Sequence, residues 1–149
     1  MRHVLFTLEP PATPGAPLPR TVERFAVQLS QVRTVVMPRP LSRVPRAPPA
    51  MLGIMNLRGR VVSVVDLATL LGQASGRPPG KVVLLDRGRT ELGLAVGEVT
   101  GIAPLEAKLR APEGAPRFVT SVAQDGDGTV TLLDALALDA EVTALFPSS

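Results

Sequence analysis

Residues 51–72, MLGIMNLRGRVVSVVDLATLLG, contain two apolar runs separated by a short polar tip, NLRGR, at residues 56–60. Runs of β-branched and aliphatic residues of this length, broken by a turn that contains glycine, predict a β-hairpin. Asp66 follows the second run and can accept hydrogen bonds from the first backbone N–H groups of a helix, which Gly72 can end. The stretch therefore predicts a strand, turn, strand and helix with a basic tip.

The same pattern recurs later in the chain. Residues 47–71 align without a gap on residues 115–139, and residues 24–36 align in a similar way on residues 91–103. Most matched positions are chemically similar rather than identical. Asp66 aligns with Asp134, which could cap a helix in the same way. Position-by-position agreement of turn, strand and cap favours an internal duplication over a chance match.

The duplication divides the chain into two parts, at about residues 20–76 and 80–140. Each part contains several short strand patterns and Gly- or Pro-rich turns, which favours two small β-barrels or one sandwich. Neither part has many large apolar residues, so we expect the two to pack against each other. Residues 9–20 are Pro-rich and predict an extended loop, whereas residues 72–80 predict the link between the two parts.

Composition excludes several kinds of protein. The 149 residues include no cysteine, which removes disulfides, thiolate catalysis and zinc-finger sites. His3 is the only histidine, and we expect it to lie at a frayed terminus without a catalytic or metal-binding role. No apolar run approaches the roughly 20 residues of a membrane span, and no signal-peptide pattern is present. We therefore expect a cytoplasmic protein that is not an enzyme and holds no cofactor.

Positive charge is concentrated in the first part of the chain. Residues 1–60 carry nine arginines against Glu9 and Glu23, a balance of +7, whereas the whole chain has a net charge of +3. This asymmetry predicts a surface for an acidic partner. A small basic barrel that binds nucleic acid is the alternative, because several arginines could form a phosphate-binding stripe: Arg33, Arg39, Arg43, Arg46, Arg58 and Arg60. The absence of Trp and Tyr argues against it, since such barrels usually stack bases on aromatic rings.

The duplication supplies an internal comparison for the basic tip. In the second part the equivalent tip is QDGDG, residues 124–128, whose Asp-Gly pairs suit a tight turn with positive φ angles rather than a calcium loop. In the first tip we expect the turn to need only Gly59. Leu57 and Arg58 would then be surplus to folding, which indicates that they face a partner.

The string VPRAPPAMLGIMNLRGRVVSVVDLATLLG, residues 44–72, closely resembles the CheW-like domain, a scaffold module of bacterial chemotaxis signalling. The hallmark of that family is a Gly-x-x-Asn-Leu-Arg-Gly run, here residues 53–59, followed by an aliphatic strand and an Asp-Leu helix start. The resemblance extends over nearly the whole chain. It implies a mainly β fold of two SH3-like, five-stranded β-barrels packed side by side, with short helices and a C-terminal helix.

The resemblance also implies a function and a site. Members of the family are adaptors that couple the cytoplasmic tips of methyl-accepting chemoreceptors to a CheA-type histidine kinase in a two-component system. One barrel would meet a domain of the kinase, and a groove near the junction of the barrels would receive the receptor. Asn56 and Arg58, with Gly59, would lie on the partner-facing surface. Candidates for the apolar groove are Val32, Val35, Val36, Gly53 and Leu57.

The chain departs from the family pattern at several positions. Thr34 stands where an acid is usual, and Ser63, Gly97 and Ser121 replace a proline, an aspartate and a glycine. Loss of the acid at position 34 removes a negative charge from the expected partner surface. These departures favour a specialised member that serves one dedicated system or binds one of the two usual partners.

Overall fold

Two β-sheets and two short helices make up the fold in the computed structural model, which describes residues 1–8, 22–73, 79–86 and 92–145. The strands are β1 (Arg2–Leu8), β2 (Glu23–Gln28), β3 (Val32–Val36), β4 (Met51–Leu57), β5 (Arg60–Asp66), β6 (Lys81–Leu85), β7 (Leu92–Val96), β8 (Val99–Pro104), β9 (Leu109–Arg110), β10 (Val119–Asp125) and β11 (Gly128–Leu133). The helices are α1 (Leu67–Leu70) and α2 (Ala135–Leu145), and a 3-10 turn, Leu29–Gln31, joins β2 to β3.

The two sheets share one strand order. The six-stranded sheet runs β8-β1-β2-β11-β10-β9, and the five-stranded sheet runs β3-β6-β7-β5-β4. In each sheet one parallel pair, β2 with β11 or β7 with β5, joins strands that are otherwise antiparallel. The resemblance predicted five strands in each barrel, and the two-residue β9 is an additional sixth strand in one of them. Its counterpart in the other sheet is an isolated bridge between Ser42 and Ile54.

Strand pairing confirms the duplication at the level of single residues. Phe25 lies opposite Thr131 in the six-stranded sheet, and Leu92 lies opposite Ser63 in the five-stranded sheet. The sequence repeat aligns Phe25 with Leu92 and Ser63 with Thr131. Equivalent residues therefore meet equivalent partners in the two sheets.

The two parts of the chain exchange strands. β1 and β2 pair with β8 and β11 of the second part, and β6 and β7 pair with β3 and β5 of the first. The predicted segments 20–76 and 80–140 follow the repeat, whereas the sheets take strands from both segments. Separating the segments would break the β-ladders of both sheets. The Pro-rich segment 9–20 lies outside the described residues, as does most of the predicted link at 72–80.

Among the described residues, three clusters of buried apolar side chains form the core. The largest takes Phe6 and Phe25 from the six-stranded sheet and Leu94 from the five-stranded sheet, and the two phenylalanine rings stack with centroids 6.3 Å apart. A smaller cluster around Leu5 belongs to the six-stranded sheet, and another around Val62 belongs to the five-stranded sheet. The expected packing of the two parts against each other is confirmed. Each buried Val or Leu contributes on the order of 1.5 to 3 kcal/mol.

Both helices begin at the aspartates that the sequence predicts as caps. Asp66 Oδ2 accepts hydrogen bonds from Thr69 N at 3.3 Å and from Thr69 Oγ1 at 2.7 Å. Asp134 Oδ2 accepts one from Ala137 N at 3.0 Å. Gly72, with φ of +80°, follows α1 as predicted. Within the described part of the chain, no helix has the length and apolar character needed to cross a membrane.

His3 is buried in β1, so the expectation of a frayed terminus was wrong. It lies between Gln28 of β2 and Ala103 of β8 and is 5% exposed. Burial disfavours the charged imidazolium and lowers the pKa of His3 below its usual value. β1 is buried because β8, which is distant in sequence, pairs with it on the side opposite β2.

Candidate functional site

The tip of the β4–β5 hairpin is a two-residue turn. Leu57 pairs with Arg60, and the two residues between them, Arg58 and Gly59, have φ of +51° and +81°. Such turns match the twist of the flanking strands and favour an Asn-Gly pair. For a side chain such as arginine, this left-handed conformation costs on the order of 1 kcal/mol. The turn therefore requires positive φ at both positions. Arginine at position 58 is disfavoured in this conformation.

The equivalent tip of the second part has a different geometry. Asp125 pairs with Gly128, and within this tip positive φ occurs at Gly128, at +120°. Asp127 N donates to Asp125 Oδ1 at 2.9 Å. The expectation that both Asp-Gly pairs would adopt positive φ is thus correct at Gly128 and wrong at Gly126. The turn of the second part is stabilised by the hydrogen bond to the Asp125 side chain and does not need positive φ at Gly126.

Asn56 takes part in the first turn. Gly59 N donates a hydrogen bond to Asn56 Oδ1 at 3.0 Å, and the Asn56 side chain is exposed. A hydrogen bond of this kind contributes about 1 kcal/mol to stability. Asn56 therefore has a folding role that the sequence comparison did not assign.

An apolar groove of about 350 Å³ opens beside this tip. Its floor consists of Val36, Leu57, Val62 and Leu84, from β3, β4, β5 and β6 respectively. Val62 and Leu84 are 1% and 3% exposed and belong to the buried cluster of the five-stranded sheet. Val36 and Leu57 are half-buried and pack against that cluster. The floor is thus continuous with the interior of the sheet.

Four arginines line the same groove: Arg33, Arg39, Arg58 and Arg60. All four are exposed, and Arg33 Nε lies 3.8 Å from Asp86 Oδ1. The described residues that line the groove include no acid. Such a cluster attracts anionic groups over a range of about 8 Å at physiological ionic strength. We call this surface the arginine groove, defined by Arg33, Thr34, Val36, Arg39, Leu57, Arg58, Arg60, Val62 and Leu84.

Part of the predicted site lies in this groove. Val36, Leu57 and Arg58 line it, and Asn56 and Gly59 form the adjoining turn. The structure therefore brings these predicted residues together on one surface, although β3 and β4 are the two edge strands of the five-stranded sheet. Their role in binding a partner stays a prediction.

The other predicted residues have packing roles. Val32 and Val35 pack against the largest core cluster rather than in the groove. Gly53 is buried with φ of +150°, and a Cβ at this position would lie 2.7 Å from the carbonyl oxygen of Ser42. Glycine there permits the close approach of the segment that carries Ser42.

Sequence reasoning did not assign Val62 and Leu84 to the site. Leu84 lies on β6, which reaches β3 only through the exchange of strands between the two parts. Arg33, Arg39 and Arg60 belong to the basic stripe that the excess of arginine in residues 1–60 predicts.

The groove has the composition of a binding surface. Within the described ranges, no group of three or more potential metal-binding side chains occurs. An apolar floor with guanidinium groups around it can bury aliphatic side chains of a partner and orient its acidic groups.

Comparisons with known proteins place this fold in context. A family model described as "CheW-like domain" matches residues 21–142. The chain is 28% identical over 130 residues to the chemotaxis protein CheW of Rhizobium meliloti, covering 85% of this chain and 82% of that protein. It is 30% identical over 92 residues to a probable chemotaxis protein CheW of Rhizobium etli, covering 60% of this chain and 59% of that relative.

A solved structure has the same fold. The scaffolding protein TtCheW from Thermoanaerobacter tengcongensis matches with a TM-score of 0.72 and 21% identity, covering 92% of this chain and 90% of that chain. The predicted fold class, mainly β with two SH3-like barrels and few helices, is therefore confirmed.

Proposed function

The chain belongs to the CheW-like domain family, and on this premise we propose that it is a non-enzymatic adaptor in a chemotaxis-like signalling pathway. The relatives from Rhizobium meliloti and Rhizobium etli are named as a chemotaxis protein CheW and a probable chemotaxis protein CheW. In this proposal the chain couples methyl-accepting chemoreceptors to a CheA-type histidine kinase. It would act in the cytoplasm, at the inner face of the membrane that carries the receptors.

Arg58 is the observation that carries this proposal. The turn at the end of the β4–β5 hairpin favours Asn or Gly at this position, yet the chain has an arginine at φ of +51°. A strained residue that lines a groove supports a binding role, because strain of this kind is concentrated at functional sites. The same side chain lies beside the apolar floor formed by Leu57 and Val62.

Two kinds of residue in the groove would contribute to binding in different ways. Burial of partner side chains on the apolar floor would supply most of the affinity. The arginines around it would orient the partner and raise the rate of association. Removing one of them is expected to weaken binding without unfolding the protein, because all four are exposed.

Nucleic-acid binding has weaker support. The described phenylalanines, Phe6, Phe25 and Phe118, are at most 2% exposed, so none of these rings can stack on a base. The apolar floor of the arginine groove also has no function in a phosphate-binding stripe.

Affinity capture tests the adaptor function. Immobilised wild-type chain should retain a CheA-type kinase, chemoreceptors or both from an extract of the source cells, and Arg58→Glu should retain less. Arg46→Glu is the matched control, because Arg46 is also exposed and also has positive φ, +61°, but does not line the groove. Failure of the wild-type chain to enrich either partner over beads without protein would contradict the proposal.

A further inference from the structure

The two sheets carry equivalent grooves that differ in charge. In the six-stranded sheet, the groove beside the second tip has a volume of about 440 Å³. We call it the aspartate groove, defined by Leu5, Arg24, Thr100, Gly101, Ile102, Ala103, Asp125 and Asp127. Its tip is closed by the pair Asp125 and Gly128, as the first tip is closed by Leu57 and Arg60. The duplication thus provides two versions of one surface.

Repeat positions show that the arginines are not required by the fold. The alignment that places Asp66 on Asp134 places Arg58 on Gly126 and Arg60 on Gly128. It also places the apolar Leu57 on Asp125, and the alignment of residues 24–36 places Arg33 on Thr100. The aspartate groove folds without any of these arginines. Their presence in the first groove therefore reflects something other than hairpin or barrel formation.

The charge of the aspartate groove is largely satisfied inside the molecule. Arg24 Nη1 and Nη2 donate to Asp125 Oδ1 and Oδ2 at 2.7 and 2.6 Å. This bidentate pair, with the backbone N–H of Asp127, lowers the pKa of Asp125 to about 2. In the arginine groove, Arg33 Nε lies at longer range from Asp86 Oδ1, at 3.8 Å. Of the two grooves, the arginine groove combines an apolar floor with described lining residues whose charged side chains are all cationic.

We propose that the arginine groove binds an acidic protein segment that also carries aliphatic side chains. Glutamates or aspartates of the segment pair with the guanidinium groups, and an aliphatic side chain covers the floor at Leu57 and Val62. The inference rests on the adaptor function proposed above and deepens it, because it states the chemistry of the partner segment. Charge complementarity selects the acidic groups, and the floor selects a protein segment over a nucleic acid. A groove of about 350 Å³ accepts a few side chains rather than a whole domain.

Peptides of controlled composition test this chemistry. A short fluorescent peptide rich in Glu with spaced Leu is titrated with the full chain, beside peptides in which every Glu is Lys or every Leu is Ser. The Glu-Leu peptide should bind, with affinity that falls steeply from low to physiological salt because screening weakens the charge pairs. The Lys-Leu peptide should not bind, and the Glu-Ser peptide should bind about tenfold more weakly, since it cannot cover the floor.

Charge reversal in the groove gives the matched test. The double variant Arg39→Glu with Arg58→Glu should lose about tenfold or more in affinity for the Glu-Leu peptide and should gain binding of the Lys-Leu peptide. Arg46→Glu, outside the groove, should bind as the wild type does. Thermal melting verifies that each variant is folded. A gain in binding of the Lys-Leu peptide by the double variant cannot arise from unfolding.

Three results would overturn the inference: undiminished binding of the Glu-Leu peptide by the double variant, equal binding of the Glu-Leu and Glu-Ser peptides, or tighter binding of a single-stranded oligonucleotide that displaces the peptide. The peptide result is separate from the adaptor function. Capture of the kinase or receptors together with no peptide binding would reject the groove assignment alone. Peptide binding with no capture of either partner would reject the adaptor function alone.

Discussion

Arg58→Asn is expected to make the protein more stable and its partner binding weaker. The substitution creates an Asn-Gly pair at the two positions with φ of +51° and +81°, the pair that this hairpin turn favours. Asn is several-fold more frequent than most residues in this conformation, which corresponds to roughly 0.6 to 1 kcal/mol in the free energy of unfolding. The melting temperature should rise by about 1 to 4 °C.

Binding should change in the opposite direction. Asn cannot reach across the groove with a charged group, so we expect a loss of about 1 kcal/mol or more, roughly fivefold or greater, in partner affinity. Arg58→Ala keeps the left-handed strain, and should leave the melting temperature nearly unchanged while binding falls by a similar amount. Unfolding is followed by circular dichroism, because the chain has no Trp or Tyr to serve as a fluorescent probe. Affinity is measured by calorimetry with the captured partner.

Arg46 provides the control. It has φ of +61° in a turn closed by a hydrogen bond from Ala47 N to Val44 O at 3.2 Å, and its repeat counterpart is Gly114, with φ of +83°. Arg46→Asn should therefore stabilise the protein by a similar amount and leave partner binding unchanged. A marked loss of stability in Arg58→Asn, with unchanged affinity per folded molecule, would show that Arg58 is a structural residue and not a binding residue.

Three further predictions concern the turn, the ion pair and the buried histidine. Asn56→Ala should lower the free energy of unfolding by about 1 kcal/mol, because Gly59 N loses its acceptor; urea unfolding that matches wild type would contradict this. In Arg24→Gln, the pKa of Asp125 should rise from about 2 toward its ordinary value of 3.8. The loss of stability that wild type shows as pH falls from about 4 to about 2 should therefore become smaller, because the folded and unfolded chains then bind this proton at more similar pH; carboxyl NMR titration checks it, and an unmoved pKa would reject the pairing. Because burial lowers the pKa of His3 below 6.5, the unfolded chain binds a proton first, and stability should fall as pH drops below 6.5. His3→Gln should remove that fall between about pH 7 and pH 5, and an unchanged pH dependence of urea unfolding would exclude His3 as its source.

Local features of the fold could be predicted from the sequence because a few neighbouring residues determine them. The hairpin of residues 51–66 and the caps at Asp66 and Asp134 depend on turn chemistry and on a carboxylate at the start of a helix. The duplication was visible because equivalent positions retain equivalent chemistry. These signals do not depend on which strands pair at a distance.

Long-range pairing could not be predicted in the same way. Short aliphatic runs of strand length indicate that β1 and β6 are strands, but they do not state that each pairs with the other part of the chain. Burial of His3 under β8 and the contribution of Leu84 to the groove both follow from that exchange. Val32 and Val35 illustrate a related limit, because an apolar pattern predicts burial without stating which cluster the side chains join.

Co-sedimentation with receptor membranes measures whether the chain couples the kinase to the receptors. The purified chain is mixed with the CheA-type kinase of the source cell and with vesicles that contain its chemoreceptors, and the pelleted kinase is measured. Wild-type chain and Arg46→Glu should bring the kinase into the pellet, whereas the double variant Arg39→Glu with Arg58→Glu should not. Kinase recovery that is independent of the chain, or equal for wild type and the double variant, would contradict coupling through the arginine groove.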